Sequence, residues 1–429
     1  MKAKLQKSIR AIIFSMPIIA ILTIIFIPRS YKHKAFINNN YQHLYHDSQK
    51  PDAQTITFYA LGDWGTANIQ QKMVAKALRE DLLRLKQLKM APFVLGLGDN
   101  IYPDGLPNEK FNHPLVIEVL QKRFGQSYRN TQYQKKNIIF HVVPGNHDYH
   151  QIDGRLHEET TAEFLFNGKN DFPIFKSYPI HHKIIQDTNN DKEHQQLKSA
   201  NIEQIAFPQI VINTNDILII ALDTPLYLKM YSQKTSMAKQ HWDYLRDKLN
   251  NSPAKWKLIF GHHPISSHGT HSGFRSLREW TWTGTRDVIP SWLRPFTFLW
   301  LTSLSVIADK TVYSLSPYKQ DLNAEPYQKF IKNMSRIIQQ CGVDFYVAGH
   351  DHNLQFLDLE NKSFQVISGS AGKLNAAHSG KDTIFSQEVP GFVRFDLKKH
   401  KMFVKFFAID MNNSKIKVNT FCIRKDKEK

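Results

Sequence analysis

Five short apolar runs in this chain each end in a turn carrying residues able to bind metal. They are FYALGDWG with Asp63, VLGLGDNIY with Asp99 and Tyr102, FHVVPGNHD with Asn146, LIFGHHP with His262, and FYVAGHDH with His350 and His352. Singly, an Asp after a strand caps a turn, a Tyr packs in a core and an Asn favours an Asx turn. Five such turns, mixing carboxylate, phenol, amide and imidazole, describe the rim of an α/β sheet where several strand ends converge on metal. Carboxylates at adjacent strand ends let one of them bridge two cations, and Asp99, central among the five turns, is the natural bridge. A close metal pair can bind and orient a phosphate and lower the pKa of a coordinated water for in-line attack. Hard oxygen donors combined with imidazoles suit iron, manganese or zinc.

The elements that must position these residues alternate. Residues Thr55 to Leu61 read as a strand, Asn68 as an N-cap, Gln70 to Met90 as an amphipathic helix and Pro92 to Gly98 as the next strand. That is a βαβ unit, so its strands should be parallel neighbours and bring Asp63 and Asp99 side by side. Two more strands flank a turn at Asn213 to Asp216, and Pro390 to Asp410 alternates as a hairpin about a basic turn. No internal repeat is evident. His113, His141, His150, His181, His182 and His241 lie outside the five blocks and read as ordinary packing or surface residues.

A net charge of +18 over 429 residues suggests a nucleic-acid binder until it is mapped. The first 52 residues carry +6 and the last 33 carry +7, leaving only +5 for the 344 between. This weighs against a polyanion groove and favours ends that lie near an anionic membrane. Residues Ala11 to Pro28 form an 18-residue apolar stretch behind Lys2, Lys4, Lys7 and Arg10. Its length nearly spans a bilayer core, and no clean cleavage site follows it, so it reads as an uncleaved signal anchor in preference to a removed signal peptide. The expected organisation is an anchor over 1–28, a polar tether over 29–54, a catalytic domain over 55–410 and a basic tail or last strand over 411–429. An aromatic-rich insertion interrupts the catalytic domain at about 275–325, with an apolar stretch at 295–308 too short to cross a bilayer. That stretch is either a buried lid helix or an interfacial segment. Cys341 and Cys422 either pair or stay free.

Taken in order, D63-W-G65, G98-D99-N-I-Y102, G145-N146-H147-D148, G261-H262 and G349-H350-D-H352 resemble the complete metallophosphoesterase signature in its purple acid phosphatase form. The likeness is greatest to the small, tartrate-resistant type and covers about residues 55 to 410. It implies a four-layer α/β/β/α sandwich of two mixed sheets and a dinuclear centre. In that pattern Fe(III) is held by Asp63, Asp99, Tyr102 and His352. A divalent ion (Fe, Zn or Mn) is held by Asp99, Asn146, His262 and His350. His147 matches the residue that contacts the phosphoryl group. His271, nine positions after His262, matches the histidine on the leaving-group side, with His268 as its rival. His263 departs from the aromatic often found there and reads as pocket lining. The expected reaction is hydrolysis of a small phosphomonoester at acidic pH, by an enzyme facing the periplasm or exterior. The rival within enzymes is a phosphodiesterase using the same metals, and the rival from another class is a surface-anchored binding module that has lost catalysis.

Overall fold

The computed structural model describes residues 34–46, 50–107, 113–149, 173–178, 208–234, 236–272 and 320–425. The apolar N-terminal stretch and most of the aromatic insertion, including 295–308, lie outside the described residues. Among those described, no helix is long and apolar enough to cross a membrane.

Two mixed sheets carry the fold. In chain order the strands are β1 (Phe36–Ile37), β2 (Ile56–Leu61), β3 (Phe93–Gly96), β4 (Gln132–Tyr133), β5 (Lys136–Asn137), β6 (Ile139–Val142), β7 (Ile174–Ser177), β8 (Gln209–Asn213) and β9 (Ile217–Ala221). There follow β10 (Trp256–Phe260), β11 (Phe345–Ala348), β12 (Leu354–Asp358), β13 (Phe364–Ser368), β14 (Thr383–Gln387), β15 (Gly391–Lys398), β16 (Lys401–Ile409) and β17 (Ile416–Arg424). One sheet has the order β17-β16-β15-β2-β3-β6-β7 and the other β1-β14-β12-β13-β11-β10-β9-β8, while β4 and β5 form a separate small hairpin. The strands whose ends carry the five turns, β2, β3 and β6 in one sheet and β10 and β11 in the other, run parallel within each sheet. Their carboxyl ends therefore emerge on one rim.

The sheets face each other across a core that includes Phe58, Phe93, Phe395, Val347, Phe356 and Phe406. Phe58 stacks between Phe93 at 5.3 Å and Phe395 at 4.8 Å. Truncating it to Ala would cost about 3–5 kcal/mol. Outside one sheet lies helix α1 (Ile69–Arg84), and outside the other lie α3 (Thr224–Gln233), α4 (Met237–Asn250) and α5 (Glu325–Cys341); α2 (Pro114–Leu120) packs with α1. The arrangement is helix, sheet, sheet, helix.

Helix α1 starts as its sequence dictates, with the Asn68 side chain accepting from the Gln71 amide. It buries Val74, Ala75, Leu78 and Leu82. A buried ion network also ties it down: Arg394 donates to Asp81 at 2.6 Å and to Asp396 at 2.9 Å, and Tyr59 donates to Asp81 at 2.7 Å. The helix stops at Arg84, six residues before Met90. Tyr133 takes the backbone that would have continued it, donating to the Lys86 carbonyl at 2.7 Å and accepting from the Leu88 amide at 3.0 Å. Tertiary hydrogen bonds thus replace two helical ones.

Both ends of the described chain are seated. In the stretch read as a tether, β1 pairs with β14, Tyr41 donates to Asp358 at 2.9 Å, and Tyr45 bridges to Phe421 of β17. Strand β17 pairs with β16 along its whole length. Cys341 and Cys422 are buried and free.

Candidate metal centre

Three of the residues expected to bind metal sit in left-handed backbone conformations: Asp63 at φ 56°, Asp99 at φ 53° and His350 at φ 68°. L-residues avoid this region, and such strain persists only where the surroundings impose it. Here each turn must reverse the chain at once, so that its side chain points back over the sheet rim. Glycines give the clearance. Gly98 has φ +86°, and a Cβ on Gly145 would lie 2.1 Å from Asp99 Oδ1.

The turns are locked to one another by buried polar side chains. The Asp148 carboxylate accepts from the backbone amides of Gly145 at 2.7 Å, Asn100 at 2.9 Å and Ile101 at 3.0 Å, and from Asn100 Nδ2 at 3.0 Å. Asn100 in turn accepts from Trp64 at 2.7 Å and donates to the Val143 carbonyl at 2.9 Å. Burial raises the Asp148 carboxyl to about 7, helped by the charge of Asp99 and opposed by these amide bonds.

Two groups of donor atoms result. In the first, the Tyr102 hydroxyl lies 2.6 Å from Asp99 Oδ2, 2.9 Å from Asp63 Oδ1 and 3.3 Å from His352 Nε2, and His352 Nε2 lies 3.3 Å from Asp63 Oδ1. One hydroxyl proton thus faces two carboxylate oxygens and an imidazole nitrogen. Burial pushes the Asp63 carboxyl up to about 7, with the charge of Asp99 adding to the effect. Burial likewise holds the Tyr102 phenol well above its usual range, reinforced by Asp63 and Asp99. Burial alone would raise Asp99 too, but His262, His147 and the Tyr102 hydrogen bond overcome it and hold that carboxyl below the ordinary range. Two carboxylates this close and this buried ionise together only beside positive charge.

In the second group, His262 Nδ1 donates to the Leu97 carbonyl at 2.8 Å and His350 Nε2 donates to the Gln320 carbonyl at 2.9 Å. Those bonds fix both tautomers and leave His262 Nε2 and His350 Nδ1 as bare lone pairs. The two nitrogens face each other at 3.2 Å, and both face Asn146 Oδ1, at 2.9 and 3.1 Å. Burial depresses the His350 imidazole far below its normal value, and the neighbouring imidazoles add to this. Asp99 joins the groups: Oδ2 belongs to the first, and Oδ1 lies 3.4 Å from His262 Nε2 in the second. Acceptor atoms converging with no proton to share are a donor set that fits a cation, and Asp99 stands where a bridging carboxylate would.

The remaining residues singled out from the sequence lie around this pair. The His147 amide donates to Asp99 Oδ1 at 2.9 Å, its ring packs 4.5 Å from the Tyr102 ring, and its Nδ1 contacts the Pro103 carbonyl. His271 stacks on His350 at 3.9 Å and pairs through Nδ1 with Asp321 Oδ1 at 2.9 Å. Burial opposes protonation of His271, but the Asp321 hydrogen bond and the Asp351 charge prevail and raise its pKa. His268 points its Nε2 at Asp382, 2.5 Å away. His263 lies close enough to His262 and His350 to look like a ligand. Both its ring nitrogens are engaged, however, Nδ1 with Thr224 Oγ1 at 2.8 Å and Nε2 with Gln320 Oε1 at 2.7 Å. It braces the site from behind.

Sequence reasoning missed Asp148, Asp351, Gln320 and Asp321. Asp148 and Asp351 stand inside quoted motifs, so the signal was present without a role. Asp351 accepts from the His271 amide at 3.0 Å and contacts the Ser267 hydroxyl. Gln320 and Asp321 carry no motif at all.

Comparison with known proteins identifies relatives of this chain. The tartrate-resistant acid phosphatase type 5 of Homo sapiens is 22% identical over 368 residues, covering 85% of this chain and 86% of that protein. Purple acid phosphatase 17 of Arabidopsis thaliana is 21% identical over 333 residues, covering 74% and 68%. Among solved structures, GAP50, described as the anchor in the inner membrane complex of Plasmodium, shares the fold with a TM-score of 0.51 at 16% identity, covering 87% of this chain and 90% of that one. The calcineurin-like phosphoesterase model matches residues 56–354. The chain belongs to the calcineurin-like phosphoesterase family and is a hydrolase of the phosphatase kind.

Proposed function

We propose that this enzyme hydrolyses phosphomonoesters in the manner of a purple acid phosphatase. In this reading Fe(III) is held by Asp63, Asp99, Tyr102 and His352, and a divalent iron, zinc or manganese ion by Asp99, Asn146, His262 and His350. The observation that carries it is the Tyr102 hydroxyl placed among Asp63, Asp99 and His352. A phenol held so far above its ordinary pKa ionises only against a strongly acidic cation, and a hard phenolate with two carboxylates favours a trivalent ion. When bound, the two cations supply the charge that neutralises the phosphoryl oxygens and acidifies the attacking water.

The chain's own residues then divide the work. Asp148 keeps the Asp99 and Asn146 turns in register, so that the phosphorus is presented to one rim. His147, fixed through its amide to Asp99, offers its ring to a phosphoryl oxygen. His271 donates a hydrogen bond from Nδ1–H to Asp321, which favours its imidazolium form, and the Nε2–H of that cation is the proton given to the departing alkoxide. Gln320 holds the His350 ring in the tautomer that keeps its Nδ1 lone pair facing the centre, and its side chain braces His263 behind it. The apolar stretch 11–28 supports a location outside the cytoplasm on a membrane anchor, which retention of the full chain in a carbonate-washed membrane fraction would test.

The discriminating assay compares p-nitrophenyl phosphate with its bis ester on the iron-loaded protein. A higher kcat/KM for the monoester at mildly acidic pH is expected. Preference for the bis ester would replace this reading with a phosphodiesterase.

A further inference from the structure

Lys373 lies beside the donor set and belongs to neither group. Its ammonium sits 3.6 Å from the centre of the Tyr102 ring, and it forms no ion pair among the described residues. The carboxylates whose charge reaches it are Asp99 and Asp63. Those are the groups that two cations would neutralise, so in the loaded centre the described residues would offer this half-buried ammonium the Tyr102 ring face but no other carboxylate. Removing a lysine from water without a partner is costly, and a position that bears that cost calls for an anion supplied from outside.

The backbone that carries the lysine is also held in place. Asn68 Nδ2 donates to the Gly372 carbonyl at 2.7 Å, and Gln70 Nε2 donates to the carbonyls of Ser370 and Lys373, each at 2.9 Å. The Asn375 amide donates to the His352 carbonyl at 2.9 Å. The loop is thereby fastened both to the start of α1 and to the turn that carries His352, and little freedom remains to be lost when an anion arrives.

We propose that Lys373 is a specificity-determining residue that holds a free oxygen of the dianionic phosphoryl group and so selects monoesters, and inorganic phosphate as product, over diesters. The inference rests on the phosphatase reading above. A monoester dianion has one more negative charge and one more unesterified oxygen than a diester, and an ammonium carried on a fastened loop at the rim favours it accordingly.

The test uses the full metal-loaded chain as wild type, Lys373→Ala and Lys373→Arg. Metal content is measured first, then inorganic phosphate is titrated calorimetrically and both nitrophenyl esters are assayed. For Lys373→Ala, two metals per chain should remain, phosphate should bind about tenfold more weakly, and the monoester-to-diester ratio of kcat/KM should fall by a similar factor. Lys373→Arg should keep most of the phosphate affinity. Unchanged phosphate affinity in Lys373→Ala, an equal loss on both esters, or loss of metal would each overturn the assignment. A wild-type preference for the bis ester would sink the phosphatase reading by itself, while the calorimetric comparison would still decide the role of Lys373.

Discussion

The two halves of the metal centre are built differently. The carboxylate half, Asp63, Asp99 and Tyr102, is supported by residues of the turn motifs themselves: Trp64, Asn100 and Asp148 bond to one another across three of the five turns. The histidine half is supported in part from outside those motifs. His350 and His263 lean on Gln320, and His271 leans on Asp321, residues at the C-terminal end of the aromatic insertion. The Leu322 amide also donates to the His271 carbonyl at 3.1 Å, so the return from that insertion is hydrogen-bonded into the site. The carboxylate side of the metal centre is thus braced within the motifs, whereas the ligand His350 and the leaving-group residue His271 both depend on residues 320–322.

Substitutions can break that contrast. The largest effect is expected for Asp99→Asn, which weakens both donor groups at once. Elemental analysis should show loss of metal, and kcat should fall about a thousandfold or more; retained turnover would exclude Asp99 as the bridge. Asp148→Ala should splay the carboxylate turns and weaken metal affinity about 10- to 100-fold, as loss of an outer partner does. Asp321→Asn should do the opposite: metal content stays near two per chain while kcat drops about 10- to 100-fold, more for an alkyl phosphate than for p-nitrophenyl phosphate. If Asp321→Asn lost metal as Asp148→Ala does, the two halves would not be separable.

The smallest effect concerns pH. Burial raises Asp63, Asp148 and Asp223 to about 7 in the folded chain, above the ordinary carboxylate value of an unfolded one. Groups with raised folded pKa values contribute stability that is present at low pH and lost as pH climbs from about 4 through about 7. Metal-free protein should therefore melt a few degrees higher at pH 5 than at pH 8. Asp99, held low, works the other way and limits the gain. Metal loading should remove most of the Asp63 contribution, and identical pH profiles with and without metal would contradict this.

Much of this was legible in the sequence, because strand ends and metal ligands share short motifs. The βαβ unit, the adjacency of Asp63 and Asp99 and the hairpin near the C-terminus follow from local patterns. So does the order of the five turns, since a parallel strand delivers its C-terminal turn to the same rim as its neighbours. What could not be read depends on distant partners. Tyr133 ends α1 early with a hydroxyl 45 residues beyond Leu88. Tyr41 and Tyr45 seat a polar stretch that looks like a tether because their partners, Asp358 and Phe421, are over 300 residues away. Gln320 and Asp321 belong to no motif, and Lys373 follows a run of small residues that signals only a loop.

The central claim is a dinuclear site whose trivalent metal is bound by Tyr102, and metal analysis combined with the visible spectrum of aerobically iron-loaded protein tests it most directly. Two metal ions per chain and a charge-transfer band that disappears in Tyr102→Phe are predicted. A colourless protein, or a band that persists without the Tyr102 hydroxyl, would contradict it.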